Sequence, residues 1–162
     1  MIETRVILLY IGTIFNMLDK ITSFSGEYHF LSNFWYSQII TPDGRAWQTV
    51  EHFYQAMKTA DLKEQENIRV LSTPGQAKRA GRRVITRPQW DKIKVNVMRE
   101  GLKLKFTIPE MKKLLLGTGN THLEEGNKWG DTFWGTTNGV GKNWLGKLLM
   151  EVRECLTEEM NK

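Results

Sequence analysis

Trp47 to Lys58 reads W-Q-T-V-E-H-F-Y-Q-A-M-K, and the understanding of the whole chain turns on this stretch. The hydroxyl of Thr49 is suited to cap a helix, which sets Glu51 in the first turn, where the helix dipole favours a carboxylate. Steps of four and three residues then bring Glu51, Gln55 and Lys58 onto one face. Phe53, Ala56 and Met57 are left to pack on the other. Two readings of the polar stripe follow. It is either the solvated face of an amphipathic helix, the commoner fate of charged stripes, or one wall of a polar pocket beside His52, Phe53 and Tyr54.

Upstream, T-P-D-G at 41–44 is a turn signal, because Pro42 presets φ and Gly44 tolerates a positive one. It predicts a hairpin of Ser37–Ile40 with Arg45–Gln48 that feeds the helix. The aromatic-rich segment Phe24–Tyr36, interrupted by Gly26, Ser32 and Asn33, reads as short extended pieces joined by a loop. Downstream, T-P-G-Q at 73–76 is a capping box with proline at the first helical position. A second box, T-R-P-Q at 86–89, predicts a long helix from Trp90 to about Phe106. Ile93, Val97, Met98, Leu102 and Leu104 form its buried face, and Lys92, Lys94, Arg99, Lys103 and Lys105 lie mostly away from it. Pro109 opens a further short helix that Gly117 ends, His122–Glu125 reads as a short strand, and a terminal helix runs to about Glu159.

Between that strand and the terminal helix lie five glycines from Gly130 to Gly146. Backbone N–H groups in such a loop can approach an anion, and a helix start adds a favourable dipole. G-V-G-K-N at 139–143 lacks the spacing and hydroxyl residue of a Walker loop, so plain turns explain the glycines equally well.

The chain has 162 residues, 40% of them hydrophobic and 25% charged, which suits one soluble globular domain. A net charge of +5 favours anionic partners, but the basic residues form no block of the kind that tracks nucleic acid. The single cysteine, Cys155, rules out an internal disulfide and fits a reducing cytoplasm. His29, His52 and His122 have no ligand-type spacing, so no metal centre is expected. The apolar run near the N-terminus is too short to span a membrane and lacks a convincing cleavage site. Residues 1–16 are therefore read as a dispensable extension or mis-called start, ahead of a true signal or an extra strand, with the domain at 17–162.

F-S-G-E-Y-H-F-L-S-N-F-W at 24–35 and D-G-x-x-W-x-T-V-E-H-F-Y-Q-A-M-K at 43–58 resemble the NADAR family, whose YbiA-like members are N-glycosidases. P-x-x-A-K-x-x-G-R at 74–82, W-D-x-x-K-x-x-V-M-x-x-x-L-x-x-K-F at 90–106 and the D-x-x-W-G and G-x-N-x-L-G-x-x-L-M-x-x-R motifs of the last third fit the same family. The resemblance covers about Ile21 to Leu156. The turn between Gly135 and Gly141 is shorter than in some YbiA-like members, with Thr136-Thr137 where those carry an acidic residue and Gly, which bears on substrate identity.

The resemblance implies a single compact, predominantly helical α+β domain, about five helices around a small β-hairpin sheet. It implies hydrolysis of the C1′–N bond of a ribosylated substrate without metal or cofactor. By the same resemblance Glu51 is the principal catalytic carboxylate and Asp131 assists. Trp90 and Trp134 would sandwich the base or ribose, Gln55 would line the pocket, and Lys58, Lys78, Arg82, Lys142 and Asn143 would hold phosphate. Two substrate classes are open: a phosphorylated ribosylamino-pyrimidine of the riboflavin pathway, or ADP-ribose on guanine, including in nucleic acid. The rival is a non-catalytic module for NAD-derived nucleotides or ADP-ribosylated targets. A cytoplasmic monomer is expected.

Overall fold

Helix α1, Val50–Ala56, sits where the other elements converge. Thr49 caps it as its sequence predicts, the hydroxyl accepting from the His52 N–H at 3.2 Å. The structure, a computed structural model, describes residues 20–162; the extension assigned to residues 1–16 lies outside them.

In chain order the elements are β1 (Lys20–Ile21), a 3-10 helix (Gly26–Leu31), β2 (Ile39–Ile40), β3 (Ala46–Trp47), α1, α2 (Leu62–Arg69), α3 (Pro74–Gly81), α4 (Trp90–Phe106), α5 (Pro109–Gly117), β4 (His122–Leu123) and α6 (Trp144–Met160). The expected α+β class holds. The hairpin forms antiparallel with Ile39 opposite Trp47, and a second pair, β1 with β4, runs parallel with Ile21 opposite Leu123. Helices α2, α3 and α4 pack around α1, while α6 closes the far side against α4, α5 and β4. Val50, Met98, Leu102, Phe106, Leu115, Leu123 and Leu149 fill the space between them.

Two glycines let the helices come this close. A Cβ on Gly81 of α3 would collide with the Gln55 side chain, and one on Gly101 of α4 would press on Val50 and Phe53. Both positions need a residue without a side chain for α1 to be gripped from two sides.

Three expectations are corrected and one helix is added. Gly26–Leu31 is a 3-10 helix and not extended, because Phe30 and Leu31 bury together only when the chain coils. Helix α2 was not anticipated: its segment L-K-E-Q-E-N-I-R buries only Gln65 and Ile68, so its apolar period is faint, yet Asp61 caps it firmly through the N–H groups of Lys63 and Glu64. The box at Thr86–Gln89 does not form. Gln89 takes φ of 60° with no side-chain cap, and Arg87 instead binds Lys58 O through its N–H and Thr59 O through its guanidinium. The chain is held there by the end of α1. Finally, Lys105 is fully buried, its Nζ donating to Ser32 O at 2.8 Å, and burial pulls its ammonium down to about 7.

Candidate active site

Every residue of α1 is buried, Glu51 and Gln55 included. The polar stripe is therefore no solvated face. Glu51 donates its N–H to Asn33 O, and its Oε1 accepts from Gln55 Nε2 at 2.7 Å. Burial raises the Glu51 carboxyl above the usual range; the Gln55 hydrogen bond and then the charges of Lys78, Lys58 and Arg82 oppose it. Gln55 Oε1 and Asn33 Oδ1 are buried without a hydrogen-bond partner in the protein, and Oε1 lies against Gly81 of α3.

The cations come from separate elements. Lys58 follows α1, Lys78 lies on α3, Arg82 just past its end, and Lys94 on α4. Burial lowers the Lys58 ammonium; Glu51 opposes this, while Arg82, Lys78 and Lys94 add to it. Three like charges around a half-buried lysine is an arrangement that an anionic ligand would relieve. Lys58 Nζ lies 5.6 Å from the centre of the Tyr54 ring, Lys78 Nζ 5.6 Å from that of Phe34, and Lys94 Nζ 4.2 Å from that of Phe133.

Tyr54 joins the two tryptophans. Its ring lies 5.2 Å from Trp90 and 5.4 Å from Trp134 between centres. Burial, and then the Glu51 charge, push its phenol well above the ordinary value. Trp90 is buried, whereas Trp134 is half-buried and also packs edge-on against Phe133 at 5.0 Å.

The loop before α6 forms the other side. Asp131 Oδ1 accepts from the N–H groups of Phe133 and Trp134 at 3.0 and 2.8 Å, and Asn127 holds Asp131 through both of its backbone groups. Lys142 is exposed, its Nζ 5.5 Å from the centre of the Phe133 ring. The N–H groups of Lys142, Asn143, Trp144 and Leu145 donate to the carbonyls of Thr132, Gly135, Phe133 and Trp134. The glycine-rich loop thus occupies the N–H groups leading into α6 that were considered for an anion. Asn143 is buried, donating to Leu123 O and accepting from Glu125 N.

The last pair leads to a group that sequence reasoning missed. Glu125 lies just beyond β4, its N–H held by Asn143 and its carbonyl by the Thr136 N–H. Its Oε2 is buried with no partner. Burial, and then the Asp131 charge, push it up to about 7 against the pull of Lys78. Its neighbour Glu124 is the reverse case: burial would raise it, but Lys20 and the Thr136 hydroxyl bring it below the usual value. The E-E doublet ahead of a polar loop was the available signal.

His52 sits within the motif but does structural work. Its Nε2 meets Leu71 O at 3.0 Å, which only accepts, so Nε2 carries the proton and Nδ1 accepts the Thr49 hydroxyl at 2.8 Å. Burial pushes the ring's pKa down and keeps it neutral. Among the described residues no group of His, Cys, Asp and Glu is placed to hold a metal, and no helix is long and apolar enough to cross a membrane.

A buried carboxyl at a helix start, cations on α3 and α4 and just past the ends of α1 and α3, and a Tyr–Trp cluster define a site for an anionic, ring-bearing ligand. The NADAR domain family matches residues 22–157. The chain is 43% identical to N-glycosidase YbiA of Shigella flexneri over 150 residues, 88% of this chain and 92% of that one. It is 41% identical to a riboflavin biosynthesis protein of Vibrio vulnificus over 133 residues, 80% of this chain and 36% of that one. The NMR structure of E. coli YbiA superimposes with a TM-score of 0.80 at 40% identity, covering 90% of each chain. The chain belongs to the NADAR family. It is an enzyme of the N-glycosidase class that its curated relatives represent.

Proposed function

We propose that the enzyme hydrolyses the C1′–N bond of a phosphate-bearing ribosylated amine or base, with Glu51 as the principal carboxylate. The observation that carries this reading is the placement of Glu51: buried on α1, oriented by Gln55, and set among Lys58, Lys78 and Arg82. Breaking a C1′–N bond leaves positive charge on the sugar, which a fixed carboxylate stabilises best where water is excluded. Cations beside Glu51 would oppose that charge. A bound phosphate pairs with those cations and offsets their opposition to the charge on the sugar. The basic cluster and Glu51 then serve one reaction.

The bond breaks with its electron pair leaving on nitrogen, and water adds at C1′ while Glu51 takes a proton from it. Trp134, the more exposed indole, stacks on the base, with Tyr54 and Trp90 behind it. Asp131 shapes the loop and keeps its second oxygen for the sugar or water. Lys142 meets the ligand from the rim, while Asn143 fixes the adjoining backbone and not a phosphate. In this reading the protein acts as a cytoplasmic monomer without metal or cofactor.

Of the two substrate classes, the relatives named for riboflavin biosynthesis in Vibrio vulnificus and Zea mays support the phosphorylated ribosylamino-pyrimidine over ADP-ribosylated guanine. Incubation with each substrate, followed by mass spectrometry, tests both. Release of ribose phosphate and free aminopyrimidine is the expected result. Release of ADP-ribose from guanine replaces the substrate and keeps the chemistry. Tight binding of either with no turnover overturns the catalytic reading in favour of a binding module.

A further inference from the structure

Glycosyl transfer to water has two ends, and the site described so far serves one. A carboxylate beside the sugar handles the charge at C1′, but the departing nitrogen is a poor leaving group until it gains a proton. The donor must be a neutral acid at working pH, held rigidly, with its acidic oxygen free. Few groups here meet these conditions. Tyr54 holds its proton too tightly, since burial and the Glu51 charge both disfavour its ionisation. Asp131 spends Oδ1 on two backbone N–H groups. Glu124 is bound up with Lys20 and Thr136.

Glu125 meets them. Its backbone is clamped at both ends, by Asn143 and by Thr136. Its Oε2 is shut away from solvent with nothing to bond, a state that costs a carboxylate more than a neutral acid. The charged groups acting on it are Asp131, from the loop before α6, and Lys78, from α3. From the residue ahead of α6 comes the neutral amide of Asn143. Lys78 also acts on Glu51, so the two carboxyl groups share a neighbour. Burial raises both; beyond it, Glu51 has the Gln55 amide and three cations opposing the rise, whereas Glu125 has Asp131 adding to it and Lys78 alone opposing.

We propose that Glu125 is the general acid of the reaction, giving the proton on its Oε2 to the leaving nitrogen as the C1′–N bond breaks. The inference rests on the reading of the site as an N-glycosidase centre using Glu51. The bonding pair goes to nitrogen, the Glu125 proton joins it, and the water that adds at C1′ loses a proton to Glu51. One turnover leaves Glu125 ionised and Glu51 protonated, and exchange with solvent restores both. The partner this oxygen selects is a basic nitrogen on the substrate's leaving group.

The test compares two substrates that differ only in the leaving group's need for a proton: a phosphoribosylated aminopyrimidine and 4-nitrophenyl riboside 5′-phosphate, whose phenolate departs unaided. Glu125→Gln is expected to lose on the order of a hundredfold or more in kcat on the amine and far less on the nitrophenyl compound. Glu51→Gln is expected to lose heavily on both. Equal losses for Glu125→Gln on the two substrates, or no loss on either, overturn the proposal while leaving the N-glycosidase reading intact. Should Glu125→Gln not fold, the wild-type pH profile decides. On the amine, kcat/KM falls as pH rises through the Glu125 pKa, near 7 in the free protein; on the nitrophenyl compound that limb is absent. The same limb on both, or on neither, overturns the proposal. Wild type that cleaves neither substrate overturns the N-glycosidase reading itself, and this inference with it.

Discussion

The two sides of the site are built on different principles. On the α1 side, side chains are placed by helices: Glu51 and Gln55 one turn apart, Lys78 from α3, Lys94 from α4. On the loop side, Asp131 and Glu125 are placed by hydrogen bonds from Asn127, Asn143 and Thr136 to the backbone. The first side surrounds its carboxyl with cations and the second sets its carboxyls near one another. On the helical side neighbouring helices bring cations that oppose, without cancelling, the effect of burial on Glu51. The loop itself adds a like charge, Asp131, to burial, so Glu125 is pushed up to about 7 with Lys78 alone opposing. Two glutamates at one site thereby acquire two chemical characters.

The sharpest way to break this comparison is Glu51→Gln. A first-turn carboxylate stabilises its helix by only about 0.3–1 kcal/mol, so the variant should melt close to wild type. Its single-turnover rate should fall on the order of a hundredfold or more, as for loss of one preorganised electrostatic contact. Near-normal turnover would hand the principal role to the loop side. Next in size, Trp134→Ala should weaken ligand binding by roughly 1–3 kcal/mol, the scale of one lost stacking contact, measured by calorimetry with little change in melting. Unfolding would show instead that the indole belongs to the core with Tyr54 and Phe133.

Gly81→Ala probes how the helical side is held. The added methyl must push Gln55 aside, at a cost of about 1–3 kcal/mol of overpacking. Denaturant titration should show that loss, and turnover should fall as Gln55 releases the Glu51 carboxyl. Asp131→Asn is the mildest. The amide keeps an oxygen for the Phe133 and Trp134 N–H groups, so the fold should hold. Removing the negative charge lowers the Glu125 pKa, which burial and Asp131 had raised. The alkaline limb of the pH profile should therefore move to lower pH by about a unit or less.

How much of this was legible depends on how local the signal is. Thr49, T-P-D-G and the Thr73–Gln76 box act within four residues of themselves, and α1, the hairpin and α3 are where the sequence implies. The burial of Glu51 was not legible, because it depends on Gly81 and Gly101 admitting two other helices. Lys105 looked like one more surface lysine on α4. Its acceptor, Ser32 O, is 73 positions away, beyond any periodicity. Glu125 read as strand because Asn143, 18 positions on, is what fixes it. Helix α2 hid behind its own polarity, with Asp61 as the one cue.

The Lys105 contact has a consequence for the order in which the molecule assembles. Ser32, its acceptor, is followed by Asn33, whose carbonyl takes the Glu51 N–H. One of the free first-turn amides of a seven-residue helix, that of Glu51, is thus closed by a loop to which Lys105 of α4 is bonded. Helices this short exchange their amide protons readily when isolated. Here the residue next to the Glu51 acceptor is held by α4, so the Glu51 proton should be among the slow protons in deuterium exchange, tied to sub-global opening and not to fraying. A single amide resonance would then time the docking of a helix that begins some forty residues later in the chain.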